Sequence, residues 1–154
     1  MMKKIIPFLV LLALFSCDKQ VAYNKVFNDF TANHWIKNDI KVFDFTLDET
    51  IEAGTISILF SHISESQFPM IPLEVYIERP SGEEEKVYVN MRFKDAKGKS
   101  LSDCAGDVCD LTTTIKEGTK FEKGHYKITL QNKFTYDFIP NVLALGLSIR
   151  ADKK

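Results

Sequence analysis

Apolar and polar residues alternate along most of this chain beyond residue 17, and that period of two constrains its fold more than any other feature. Successive side chains of a strand point to opposite faces, so alternation gives each strand one dry and one wet face. In 41–47, Phe43, Phe45 and Leu47 share a face and Asp44 and Thr46 take the other. In 55–61, Ile56, Ile58 and Phe60 oppose Ser57 and Ser61. The same pattern runs through 73–79, 87–93, 126–131 and 143–149, with weaker runs at 26–30 and 111–115. No stretch of useful length repeats every 3.6 residues.

Sheets with one dry face must bury it, and two such sheets packed face to face form a sandwich. The expected fold is therefore all-β: an antiparallel β-sandwich, jelly-roll-like or Ig-like, of about eight strands. Turn chemistry separates the runs at Glu52-Ala53-Gly54, Pro80-Ser81-Gly82, Asp95-Ala96-Lys97-Gly98, Glu117-Gly118 and Lys123-Gly124. The 154 residues are 45% hydrophobic and include 12 Phe, enough for one ordinary core. With 20 Lys+Arg against 21 Asp+Glu, there is no basic excess for gripping nucleic acid.

One hairpin can be read in more detail. If Ile77 faces Val89, then Glu74 faces Arg92 on the wet side; shifted by two, Tyr76 faces Tyr88. Either register places both tyrosines on one solvent-facing patch, as a stacking platform for sugar or peptide or simply as good strand residues.

The first residues carry an address. Lys3 and Lys4 precede an apolar run over 5–15, which ends in Leu14-Phe15-Ser16-Cys17. A spanning helix needs about 20 apolar residues, so this run has the length of a signal-peptide core. An aliphatic residue, a small residue and then cysteine make a lipobox. The expected chemistry is diacylglycerol thioether formation on Cys17 and cleavage before it. Domain boundaries follow as signal peptide 1–16, lipidated tether 17–25 and one sandwich over 26–154. The expected location is the cell envelope, lipid-anchored to a bacterial membrane with the domain in the periplasm.

Little else carries chemistry. His34, His62 and His125 lack the close spacing of a compact metal site. Glu83-Glu84-Glu85 sits in a hairpin turn as a solvated charge run, and Asp103, Asp107 and Asp110 lack the spacing of a calcium loop. No nucleophile elbow, phosphate loop or dinucleotide fingerprint is present. No catalytic residue, cofactor or metal is assigned, and no small-molecule ligand is expected. Cys104 and Cys109 stand in Asp103-Cys-Ala-Gly-Asp-Val-Cys-Asp110. In an oxidising compartment they are expected to pair, closing a small ring worth about 2 kcal/mol; a zinc half-site is the competing reading, with no evident further ligands. Trp35, the only tryptophan, reads as a plug over one end of the sandwich; standing exposed, it would join Tyr76 and Tyr88 as a candidate surface contact.

Several segments occur in a telling order: the lipobox at Cys17, Trp35-Ile36-Lys37-Asn38-Asp39 leading into Val42-Phe43-Asp44-Phe45, and 59–73. They continue with Pro80-Ser81-Gly82, the Phe93-Lys94-Asp95-Ala96-Lys97-Gly98 turn, Phe121-Glu122-Lys123-Gly124-His125-Tyr126, and Leu145-Gly146-Leu147-Ser148-Ile149-Arg150. Together they resemble the gliding-motility lipoprotein GldH family of the Bacteroidota. The chain departs from the family pattern at Lys133-Phe134, where a Met-Arg pair is expected. The resemblance implies a membrane-attached accessory of the gliding apparatus, tied to type IX secretion, with envelope or motility proteins as partners and no enzyme activity or cofactor. The competing reading is a carbohydrate-binding sandwich with Tyr76, Tyr88, Trp35 or Tyr136 as stacking residues.

Overall fold

A computed structural model describes residues 20–64 and 66–153. Its strands are β1 (Val21–Phe27), β2 (Trp35–Ile36), β3 (Lys41–Leu47), β4 (Ile51–Ile63), β5 (Met70–Glu78), β6 (Glu84–Arg92), β7 (Asp103–Ala105), β8 (Val108–Phe121), β9 (Gly124–Asn132), β10 (Phe138–Ile139) and β11 (Val142–Ala151). The only helical turn among the described residues is a 3-10 turn at Thr31–Asn33. One sheet runs β1-β11-β4-β8-β7 and the other β3-β9-β5-β6, while β10 and β2 form a two-stranded piece. Every strand pair is antiparallel.

The two larger sheets bury most of the residues that alternation assigned to dry faces; Leu143 is displaced by the irregular register between Val142 and Ala144, and Val142 is buried instead. Phe43 and Ile128 sit in one sheet, and Ile56, Ile58, Leu147 and Ile149 in the other, all at 0% exposure. Aromatic contacts knit the layers: Tyr23 of β1 stacks on Phe45 of β3 at 3.8 Å, and Phe60 of β4 meets Phe93 edge-on at 5.7 Å. These pairs add to area burial because ring edges and faces carry opposite partial charge.

Three sequence expectations change. The tether does not extend to residue 25: Val21 already pairs with Arg150, and residues 21–25 belong to β1. As an edge strand, β1 needs only Tyr23 and Phe27 against the core; its other residues, apolar Val21, Ala22 and Val26 among them, are exposed, so the segment shows no alternation and reads like a linker. Glu52-Ala53-Gly54 and Glu117-Gly118 are not turns but lie within the long strands β4 and β8, at the irregular registers between Ile51 and Ser57. The weak run at 111–115 is the middle of the 14-residue β8.

Gly124 has φ +135°, and a Cβ there would lie 2.7 Å from Pro80 Cβ. Gly124→Ala combines a strained backbone with a collision against a ring, so it is expected to cost at least about 1–3 kcal/mol. Urea melts should show a lower midpoint with an unchanged slope; an unchanged midpoint would contradict the close approach.

Candidate interaction surface

The β5–β6 hairpin takes neither register expected from the sequence. Ile77 pairs with Glu85, Val75 with Val87 and Leu73 with Val89. The reversal is completed within 79–83, where Arg79 N–H donates to Glu83 O and Gly82 N–H to Arg79 O. Strand β6 thus starts at Glu84, and Tyr88 falls opposite Glu74 while Tyr76 falls opposite Lys86. The Lys86 ammonium lies 5.3 Å from the Tyr76 ring centre and 4.8 Å from that of Tyr88. It also pairs with Glu74 at 2.9 Å, and the Tyr76 hydroxyl donates to the same carboxylate. The hydrogen bonds from Lys86 and Tyr76 hold the Glu74 carboxyl below its ordinary range, and Glu74 in turn raises Lys86. The two tyrosines share one face with the Lys86 ammonium within cation–π reach of both rings; Tyr76 is tied into this polar cluster through Glu74, while Tyr88 stands 74% exposed at its edge.

Trp35 is fully buried, which removes it as a surface contact. Its indole N–H donates to Asp39 O at 2.7 Å, and its ring meets Phe30 edge-on. Asn132 secures the turn from within by donating to the backbone oxygens of Trp35 and Ile36. The neighbouring Lys41 is also buried, paired with Asp39 at 3.0 Å and lying over the Phe30 ring. The plug follows from the alternation of β2: Trp35 points inward and Ile36 outward, opposite Ile139 and Phe138 of β10.

Cys104 and Cys109 face each other in the β7–β8 hairpin and are joined by a disulfide (S–S 2.03 Å). Cys17 lies outside the described residues. His62 Nε2 and Ser102 Oγ are 3.0 Å apart. Burial pushes the His62 imidazole below its ordinary pKa, and Phe93 packs edge-on against the ring. The space beside it is about 20 Å³, room for one water and no substrate. This pair ties the segment leading into β7 to the end of β4. Among the described residues, no three His, Cys, Asp or Glu gather to hold a metal ion.

An exposed apolar surface instead forms where β2, β10 and the 133–140 segment close one end of the sandwich. Phe68, Phe134, Tyr136, Phe138 and Pro140 line an open groove of about 570 Å³. Phe68 meets Phe134 edge-on at 4.7 Å, Phe134 meets Tyr136 at 5.4 Å, and His34 stacks on Phe138 at 3.9 Å. Tyr136 is 63% exposed and Ile36, opposite Phe138, 53%. Tyr136 was legible as a candidate stacking residue and Phe134 only as a departure from the family pattern; Phe68 and Phe138 carried no signal, because a loop or a two-residue strand is too short to show a period.

The match to known families decides the identity of this architecture. Residues 22–149 match the family described as GldH lipoprotein. The chain belongs to the GldH lipoprotein family. Membership supports a membrane-anchored envelope lipoprotein associated with gliding motility. No helix among the described residues is long and apolar enough to cross a membrane. No curated protein matches the chain. Similar solved structures include a CocE/NonD family hydrolase from Staphylococcus aureus at 8% identity and TM-score 0.40, covering 87% of this chain and 32% of that one. A family 35 carbohydrate binding module from Clostridium thermocellum is 12% identical at TM-score 0.37, covering 80% and 90%. Dimeric latent PorU from Porphyromonas gingivalis is 12% identical at TM-score 0.34, covering 87% and 13%. The chain thus spans about a third of the hydrolase's length, and at these values none of the three bears on activity or ligand for this GldH-family chain.

Proposed function

We propose that this protein is a non-catalytic accessory of the gliding-motility and type IX secretion-linked envelope machinery, anchored by lipid on Cys17 and working through protein contacts. The observation that carries this reading is the aromatic groove together with its place in the fold. The chain enters the sandwich at Val21, paired with Arg150, and β1 ends at Phe27, paired with Leu145. A seven-residue strand spans about 23 Å. The groove lies beyond the Phe27 end, beside Ile139 and the start of β11. Cys17 is four residues before Val21, within about 14 Å of it. The chain therefore joins the sandwich at the Val21 end, and the aromatic surface lies at the other end of the domain, where it is open to a partner. Exposed aromatics around a groove suit the apolar anchor residues of a protein partner.

The test is a photocrosslinking side chain at position 136 or 138 in native cells, with position 88 as the reference. Adducts to one envelope protein are expected from 136 and 138 and not from 88. The double variant Tyr136→Glu, Phe138→Glu is expected to stop gliding at an unchanged protein level. Normal gliding by the double variant, with no adduct at either position, would remove the reading.

A further inference from the structure

The outward face of the five-stranded sheet carries no long side chain in its middle, where an exposed sheet ordinarily places Lys, Glu or aromatic residues. Its register aligns two rows across four strands. Asn24 of β1 lies opposite Ser148 of β11, Ser148 opposite Ser57 of β4, and Ser57 opposite Thr114 of β8. The adjacent row is Val26, Gly146, Leu59 and Thr112. The rows form the bed of a trough of about 370 Å³, within the roughly 300–1,000 Å³ of small-ligand clefts. Gly146 keeps the floor low: a Cβ there would lie 3.1 Å from Val26 Cγ2.

The polar groups of this bed are free. Among the described residues, no side-chain hydrogen bond engages Asn24, Ser57, Thr114 or Ser148, and no acid pairs with Arg150, which lines the same trough. The nearest acid in sequence, Asp152, has one carboxylate oxygen held by the Thr55 hydroxyl and the other by the Gly118 N–H. Hydroxyl and amide groups both donate and accept, as sugar hydroxyls do. Neighbouring strands are about 4.8 Å apart, close to the length of one pyranose ring along a saccharide chain. A chain crossing the strands would set one ring over each, its hydroxyl edge on the Asn24–Thr114 row and its C–H face on Val26 and Leu59. The lone guanidinium at the side matches a carboxylate in bidentate geometry.

We propose that this trough is a binding site for an acidic oligosaccharide lying across β1, β11, β4 and β8. The site is separate from the aromatic groove, and neither proposal depends on the other.

The experiment titrates the purified full-length lipoprotein in detergent micelles with trigalacturonic acid and with neutral galactotriose, reading backbone amide shifts by NMR. Saturable shifts confined to the four strands are expected, with the acidic probe binding at least tenfold more tightly. Arg150→Gln should erase that preference and leave the neutral probe unchanged, whereas Arg150→Lys should keep part of it. Ser57→Lys should fill the trough and abolish binding of both, with the remaining spectrum showing an intact fold. No saturable shift with either probe, or shifts indifferent to both Arg150→Gln and Ser57→Lys, would overturn the site. So would a protein adduct from a photocrosslinker at Thr112 in native cells, because it would make the trough a polypeptide interface.

Discussion

Trp35→Ala is expected to lower the unfolding free energy by about 3–5 kcal/mol, the range for truncating a large buried aromatic. Trp35 is at 0% exposure, so its cavity opens no path for water to compensate. Its indole also satisfies Asp39 O, and the turn it closes carries Lys41 and its acidic partner. Domains of this size are stable by only about 5–15 kcal/mol, so the loss takes about a fifth of the total or more. Trp35→Phe keeps most of the volume but leaves the Asp39 oxygen without its donor, at about 1–3 kcal/mol. Urea titration gives both values. The fluorescence is unambiguous because no second tryptophan contributes: native emission should be blue-shifted and protected from quenchers. Red-shifted native emission, with Trp35→Ala as stable as the parent, would return Trp35 to the surface. Because Ile36 and Phe138 pair directly beside it, the alanine variant should also disturb the aromatic groove, linking the core of this end to its outer face.

The sandwich was legible where a strand has one wet face and one dry face. Phe43 and Phe45, or Ile56 and Ile58, state their burial by position alone, and the structure places them in the core. Edge and irregular strands were harder. Residues 116–120 of β8 read Lys-Glu-Gly-Thr-Lys, with no alternation, because a register shift near Ile115 and Gly118 at φ +59° break the period while pairing with β4 continues. Hairpin register was not legible either. It depended on whether the 79–83 turn closes tightly, and two hydrogen bonds settle that. The aromatic groove was the least legible feature. Phe68 and Phe134 lie far apart in sequence, in loops without periodicity, and only closure of the β2–β10 end makes them neighbours.

Cys17→Ser is expected to remove the protein from membranes altogether while leaving the sandwich folded. The thioether forms on a thiolate-capable sulfur, and a serine hydroxyl offers no equivalent nucleophile. Among the described residues no helix is long and apolar enough to cross a bilayer, so the acyl chains are the anchor this prediction tests. Each buried methylene contributes about 0.8 kcal/mol, so one chain gives marginal, reversible binding and a diacylglyceryl group gives a stable anchor. The effect on folding should be small, because the ladder begins at Val21 and the core at Tyr23, both beyond the modified residue. Detergent phase partitioning reads the anchor, and thermal melting of the released protein reads the fold. The parent should enter the detergent phase and the variant the aqueous phase, with the same melting temperature. Continued membrane association of the serine variant would overturn lipid anchorage at Cys17. A variant that is released, folded and unable to restore gliding would show that the domain must be held at the membrane to act. A released variant that restores gliding would confine the role of the lipid to delivery and leave the aromatic groove as the sole determinant of partner contact.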